Sequence, residues 1–390
     1  MTPPPELIPG ARLLFTLDPA IAYLNHGSFG AVPLPVQRAQ QRLRDEMESN
    51  PHRFFTASLP DRLAHARRHL STFLGAEPDS TAFVANATTG ISLVLNSLAL
   101  RAGDEIITTD HGYGAVKMAV DRVCARTGAI HKIVAIGLQA GDAELVAELS
   151  RAFTSNTRLL IVDQITSATA RIMPVTAIGA AARRSGVPLM VDAAHAPGML
   201  ATPIAEIGAD YWVGNLHKWL FSPRPAALLA VAAHRRAHLE PPVMSWHIDD
   251  GFPTNLEMRG TQDVTAWLAA PTGLYVMRTL GVDRVRAHNT ALAAYGQRVV
   301  GAALGLLSSA DLPRAGAGSS GAMMRILPLP AGVATDEESA ARLRSRIAEE
   351  LRIEVAITTW RQRGFLRLSA QVYNHPDEYD RLAVGLPGVL

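Results

Sequence analysis

The sequence predicts an α/β protein built on a mostly parallel sheet, and three observations lead there. Two short apolar runs, Val187-Pro188-Leu189-Met190-Val191 and Tyr211-Trp212-Val213-Gly214, stop abruptly, the first at Asp192 and the second at Asn215-Leu216-His217-Lys218. Short apolar runs bounded by turn signals read as strands buried on both faces of a parallel sheet. The third observation is a strand–turn–helix pattern: Thr81-Ala82-Phe83-Val84-Ala85, then Asn86-Ala87-Thr88-Thr89-Gly90, then the helix start Ile91-Ser92-Leu93-Val94-Leu95. Such a turn presents backbone N–H groups and hydroxyls to an anion. Ligands of open parallel sheets bind at the carboxyl ends of the strands, and Asp192 and Lys218 each stand at such an end.

An acid and a lysine at two strand ends suggest pyridoxal phosphate. That cofactor needs a lysine amine to hold it as a Schiff base, and an acid against its pyridine nitrogen to keep the ring an electron sink. Lys218 is the candidate Schiff base and Asp192 the pyridinium partner. Taken singly, a strand-end Asp is often only a helix cap and most lysines are solvated. The pair, with His195 and His217 beside it, is a stronger signal than either residue.

The stretches VDAAHAPG (191–198) and GNLHKW (214–219) resemble the class V, cysteine desulfurase-like family of pyridoxal-phosphate enzymes. The opening LNHGSFGAVP (24–33) narrows the resemblance to the isopenicillin N epimerase-like branch, and the likeness runs from about Leu24 to Tyr373. It implies fold type I: a large domain with a mostly parallel seven-stranded sheet between helices, plus a smaller α+β C-terminal domain. The expected division is an N-terminal arm over 1–20, a large cofactor-binding domain over 21–275 and a small domain over 276–390.

Composition sets the bounds. The chain has 390 residues, 48% of them hydrophobic and 18% charged, an ordinary globular balance. A net charge of +2 indicates no nucleic-acid or membrane partner. The single cysteine, Cys124, rules out an internal disulfide and suits a reducing cytoplasm. MTPPPELIPG has no basic n-region and no apolar h-region, so no signal peptide is expected. The cluster His234 to His238 reads as a solvated helix face.

In chain order, the Pro-rich first twenty residues read as an extended arm. Asn25-His26-Gly27-Ser28-Phe29-Gly30 is a tight loop whose glycines let backbone approach a ligand. The resemblance makes Asn25 and His26 substrate contacts. Val36 to Met47 and Arg62 to Leu74 are scaffold helices, the second ended by Gly75. After strand 81–85, the resemblance seats the cofactor phosphate on Ala87, Thr88 and Thr89; a simple cap is the plainer reading of such residues. Glu105 to Thr109 is a strand, and the resemblance places a ring-stacking histidine at His111, with Tyr113 sharing that role or reaching the substrate. Ile130 to Ile136 is a strand, Ala143 to Thr154 a helix, and Leu159 to Asp163 a buried strand. Beyond it, Ser167 occupies the slot where relatives put a polar residue against the cofactor ring oxygen. Ile178 to Arg184 is the helix leading to the central stretch.

His195 is a candidate for the ring oxygen or the substrate, and His217 for the phosphate. Arg224 is a candidate for a substrate carboxylate, for the phosphate, or for a surface ion pair. Leu228 to Ala232 reads as the antiparallel strand of the large sheet. The aromatic loop Pro241 to Pro253 is a candidate specificity loop. Gly260 and Thr261 match a Gly-Thr that in the resembled family binds the phosphate of the neighbouring subunit, so the resemblance implies a homodimer with shared active sites. Trp267 to Leu280 and Val282 to Leu307 read as helices, Ala315 to Gly321 as a surface loop, Met323 to Leu327 as a strand and Glu337 to Leu351 as a helix. Phe365 to Ser369 is a strand, and RLSAQVYN (367–374) resembles the family's C-terminal arginine motif, so Arg367 is the expected clamp on the substrate carboxylate.

The expected chemistry is an attack at Cα of an amino acid through an external aldimine, with Lys218 as the general base. Reprotonation on the far face makes an epimerase, loss of a β-substituent a C–S lyase, and reprotonation at the cofactor a transaminase. The far-face acid of an epimerase is open between His26, His111 and Tyr113. Desulfurase chemistry is disfavoured, because it uses a thiolate from the C-terminal half and Cys124 lies upstream of the lysine. A non-catalytic member of the fold is disfavoured by the intact Lys218, Asp192 and Arg367. A Rossmann hydride-transfer enzyme is disfavoured because no G-x-G-x-x-G follows the first strand.

Overall fold

The structure, a computed structural model, describes residues 3–306 and 321–390. The expected loop at 315–320 lies outside the described residues, and the helix expected to reach Leu307 ends at Ala303. The chain runs β1 (Ala22–Tyr23), α1 (Leu34–Ser49), α2 (Pro51–Ala57), α3 (Leu59–Phe73), β2 (Thr81–Val84), α4 (Ala87–Asn96), β3 (Glu105–Thr109), α5 (Gly114–Thr127), β4 (Ile130–Val134), α6 (Asp142–Ala152), β5 (Thr157–Asp163) and α7 (Val175–Arg184). It continues with β6 (Leu189–Asp192), α8 (Ile204–Ile207), β7 (Tyr211–Asn215), β8 (Ala227–Val231), α9 (Ala233–Arg236), α10 (Thr254–Glu257), α11 (Thr265–Leu280) and α12 (Val282–Ala303). Then come β9 (Met324–Pro328), α13 (Glu337–Leu351), β10 (Ile353–Glu354), β11 (Ala356–Trp360), β12 (Arg363–Ser369) and α14 (Pro376–Val389).

Seven strands form the large sheet in the order β2-β8-β7-β6-β5-β3-β4. Only β8 runs antiparallel to its neighbours, β2 and β7. Every residue of β2, β3, β6, β7 and β8 is buried, which is why their sequences are dominated by apolar residues, with polar ones mostly at the strand ends. Alternate residues feed opposite faces. On β5, Leu160 and Val162 join a core with α3, α6, α7 and α11, while Leu159 and Ile161 join one with α4 and α5. Phe83 of β2 stacks on Trp267 of α11 with ring centroids 5.5 Å apart. A second sheet, β11-β12-β9, packs with α12, α13 and α14 around its own core.

The segment expected as an arm is anchored along the body of the chain: Ile8 and Ala11 are buried in the large core, and Arg12 pairs with Glu378 at 3.0 Å. β1 pairs in parallel with β10, and Leu24 is buried in the smaller core, so the start of the segment expected in the large domain sits with the small one. None of the described helices is long and apolar enough to cross a membrane.

One buried ion pair ties the sheet to the scaffold. Arg67 of α3 lies 2.6 Å from Glu257 of α10, and Glu257 also accepts the Phe83 N–H at 2.8 Å. Burial pushes the Glu257 carboxyl up to about 7, against the pull of Arg67. Arg67→Ala is expected to cost about 3–5 kcal/mol, because it leaves a buried carboxylate without its cation. The folded-state pKa then stands still further above the unfolded value, so the folded state binds more protons and the deficit grows as pH rises. Denaturant titrations at pH 5 and pH 8 test this; an equal deficit at both counts against it.

Candidate active site

A cavity of about 340 Å³ opens at the carboxyl edge of the large sheet. Its wall combines strand-end residues Asp163, Asp192 and Asn215, the turn at Asn86, Ala87 and Thr88, the lysine Lys218, and Ser28, Phe29, Tyr113, Ser167, His195, His217 and Arg367. A larger groove of about 710 Å³, lined by Phe55, Met244, Trp246 and Met258, holds none of these strand-end groups.

Lys218 follows β7, and its Nζ lies 3.3 Å from His195 Nε2. Burial lowers its amine to about 7; Arg367 adds to this, while Asp192 and Asp163 oppose it. An amine in that range is part free base at neutral pH, fit both to attack a carbonyl and to take a proton. Its backbone is braced from behind. His26 Nε2 donates to the Lys218 carbonyl at 2.9 Å, and Nδ1 accepts from the Tyr373 hydroxyl at 2.9 Å. A Cβ on Gly30 would lie 2.4 Å from the Lys218 carbonyl oxygen and 2.5 Å from that of His217. The glycine-rich loop therefore makes its close approach to the lysine's own main chain.

Asp192 ends β6, and its Oδ1 accepts the Ala194 N–H at 3.0 Å, leaving Oδ2 for a ligand. Its register neighbour on β5 is Asp163, in sequence a strand end and in the structure a cavity residue. Burial raises both carboxyls, and the Asp192 charge raises Asp163 further. Two acids this close do not both ionise readily. The signal was present: Leu159 to Asp163 stops at an acid just as Val187 to Asp192 does.

The anion seat is narrower than expected. α4 starts at Ala87 rather than Ile91, because Asn86 Oδ1 caps it by accepting from the Thr89 N–H at 2.8 Å and the Thr89 hydroxyl at 3.0 Å. The Ala87 N–H donates to Asn215 Oδ1 at 2.9 Å. Thr88 keeps its donors for a ligand, and His217 lines the same cavity. His217 Nδ1 is engaged by the Ala226 carbonyl at 2.8 Å, and burial lowers its imidazole to about 4.

Arg367 lies on β12, 3% exposed. Its Nη1 donates to the Ser167 carbonyl at 2.8 Å and hydroxyl at 3.0 Å, and its Nη2 to the Ser28 hydroxyl at 2.9 Å. Its Nε is buried without a partner, and among the described residues no carboxylate pairs with it. Burial lowers its guanidinium to about 10. An enclosed cation facing a cavity without an anion is a ready seat for a carboxylate.

Several expected residues stand elsewhere. His111 is 1% exposed and outside the cavity wall. Its Nδ1 meets Thr169 Oγ1 at 2.7 Å, its Nε2 meets the Ile136 carbonyl at 3.0 Å, and its ring packs on Trp360. Both ring nitrogens are engaged, and Tyr113 rather than His111 is part of the cavity wall. His26 is fully buried behind the lysine, and burial lowers its imidazole to about 3, so neither a substrate contact nor a proton donor is available there. Asn25 acts one step back, accepting from the Ser28 hydroxyl at 2.7 Å. Arg224 donates to the Gly30 carbonyl, away from the cavity. Ser167 lines the cavity but holds Arg367. Gly260, Thr261 and the aromatic loop border the larger groove instead.

A doubly wound sheet whose carboxyl edge gathers a buried lysine, a strand-end acid and a helix N-terminus defines a pyridoxal-phosphate-dependent enzyme of fold type I. The chain belongs to the Aminotransferase class-V family, whose model matches residues 22–382. It is 34% identical to an isopenicillin N epimerase of Amycolatopsis lactamdurans, covering 96% of this chain and 97% of that one. It is 29% identical to a probable chloroplastic L-cysteine desulfhydrase of Arabidopsis thaliana, covering 96% and 84%. Among solved structures, a cysteine desulfurase from Thermococcus onnurineus NA1 matches with a TM-score of 0.81 at 17% identity, covering 98% of both chains. The residues present fit the cofactor: an amine near neutrality, an acid with a free oxygen, a helix N-terminus with a free hydroxyl, and an orphaned buried guanidinium nitrogen.

Proposed function

We propose that the protein moves protons at Cα of an α-amino acid, inverting its configuration as an epimerase does. The carrying observation is the pairing of two proton-handling groups across one cavity, Lys218 at the end of β7 and Tyr113 beyond β3. The strand order β7-β6-β5-β3 sets them on opposite sides of Asp192 and Asp163. Of the three groups open as far-face acid, His26 and His111 lie outside the cavity with their ring nitrogens engaged, and Tyr113 remains.

In this reading Arg367 takes the substrate carboxylate, Thr88 and His217 seat the cofactor phosphate, and Asp192 faces the pyridine nitrogen. The bound cofactor supplies the electron sink for charge at Cα. Lys218 Nζ removes the Cα proton on one face, and the Tyr113 hydroxyl delivers a proton on the other. Tyr113, 45% exposed, regains its proton from solvent, and Lys218 releases the proton it took to solvent before the next turnover, so the cycle is proton-neutral. No oxidant is consumed. Cys124 cannot act as a desulfurase thiolate, because it is buried in α5 and burial raises its thiol.

The test is a panel of amino acids in D2O. Deuterium at Cα with inverted configuration supports the reading. Release of a thiol and a keto acid instead makes the protein a C–S lyase, as the desulfhydrase relatives favour, and conversion to the pyridoxamine form makes it a transaminase. Tyr113→Phe sharpens the test. Epimerisation is expected to fall by about 10²-fold or more while Cα–H exchange by Lys218 persists; loss of both together overturns Tyr113 as the far-face acid.

The same reading includes a cytoplasmic homodimer. Trp246 is fully exposed and Met244 80% exposed, beside Gly260 and Thr261 on the larger groove. Such a contiguous apolar surface fits a second copy of the chain. Light scattering is expected to give twice the 41.8 kDa chain mass; a monomer at working concentration rejects the shared site.

A further inference from the structure

We propose that Trp219 is a positioning residue for the active-site lysine: its indole N–H fixes the tautomer of His195, so that the imidazole presents an N–H, and only an N–H, to the Lys218 amine. The inference rests on reading Lys218 as the reactive amine. Its geometry is a short chain of contacts that begins and ends on adjacent residues. Trp219 Nε1 lies 3.3 Å from His195 Nδ1, and His195 Nε2 lies 3.3 Å from Lys218 Nζ.

Donor and acceptor rules settle the direction. An indole nitrogen can only donate, so His195 Nδ1 must accept and carry no proton. A neutral imidazole then carries its one proton on Nε2. His195 is neutral here: burial, then the charges of Lys218 and Arg367, hold its pKa well below the usual range. An Nε2–H pointing at Nζ needs a lone pair there. The free amine has one and the ammonium has none, so the contact favours the uncharged lysine. The other charged groups facing Nζ are Arg367 from β12, which acts the same way, and Asp192 and Asp163 from β6 and β5, which oppose it.

The indole itself cannot easily swing away. Trp219 is 1% exposed, packs in a cluster with Met199, Met324 and Phe365, and has the His26 ring 4.9 Å from its own. A tryptophan that merely filled the core could send its N–H to any carbonyl. This one uses a ring atom of a cavity-lining histidine.

The test is the tautomer itself, read in the full-length protein by long-range 1H–15N spectra with 15N-labelled histidine. His195→Gln assigns the signal. The expected result is Nε2 protonated and Nδ1 bare. In Trp219→Phe, a shift toward the Nδ1–H form is expected. After hydroxylamine removes any cofactor, the pH midpoint of Lys218 labelling by trinitrobenzenesulfonate is expected to rise by on the order of one unit. An Nδ1–H form or an imidazolium in the wild type overturns the proposal, as does a folded Trp219→Phe with tautomer and midpoint unchanged. If Trp219→Phe does not fold, the wild-type tautomer decides alone. Failure of the protein to act on amino acids would remove the proposed function without altering the tautomer.

Discussion

Lys218→Ala is expected to lower turnover by about 10³-fold or more. The variant loses the one lysine among the described residues that line the cavity, the group proposed to take the Cα proton, and positioned proton transfer alone is worth about 10²–10⁴-fold. The fold is expected to survive. The Lys218 side chain lines a cavity rather than the packed core, and its removal relieves a like-charge contact with Arg367. Stopped assays with a substrate found in the D2O panel, run beside a thermal melt, measure both. Turnover within tenfold of the wild type, with the melt unchanged, rejects Lys218 as the base.

Arg367→Leu is expected to separate function from stability. The guanidinium is the enclosed cation proposed to meet the substrate carboxylate, and removing one partner of a buried charged contact costs about 2–5 kcal/mol in binding. That is a fall of about 30-fold to several thousand-fold in kcat/KM, carried largely by KM. Yet the folded protein loses a buried cation that has no carboxylate partner among the described residues, so its melting temperature is expected to hold or rise. The loss is expected to shrink for amine substrates that lack a carboxylate. An unchanged KM for amino acids would show that the carboxylate binds elsewhere.

Much of the fold was legible because burial writes itself into sequence. Strands covered on both faces favour apolar runs, and the apolar stretches of β5, β6, β7 and β8 announced themselves that way. The missed elements lacked their usual signals. β11 went unread beside β12, because the two residues that turn between them, Arg361 at φ 48° and Gln362 at φ 57°, are left-handed, a role normally marked by Asn or Gly. α14 begins at Pro376 and contains Pro387, which masked its helical period.

The candidate site divides along the same line. Lys218 and Asp192 sit at the ends of strands, where sequence position and spatial position coincide, so their place at the cavity could be read directly. Sequence also determined the class of cofactor, since an acid and a lysine at two strand ends carry their chemistry in their types. Only the tertiary structure decided which neighbours face inward. His26 and His111 carry the right chemistry in the right loops, but the chain turns their rings onto Tyr373 and Trp360, where both nitrogens find partners. Asp163, Ser28 and Trp219 matter through contacts that span the sheet order or the two sheets, among them Ser28 with Arg367 across 339 residues of chain. The physical reason is direct. Burial and strand ends are local properties of a sequence, whereas the orientation of a loop side chain is set by whichever distant group satisfies its hydrogen bonds.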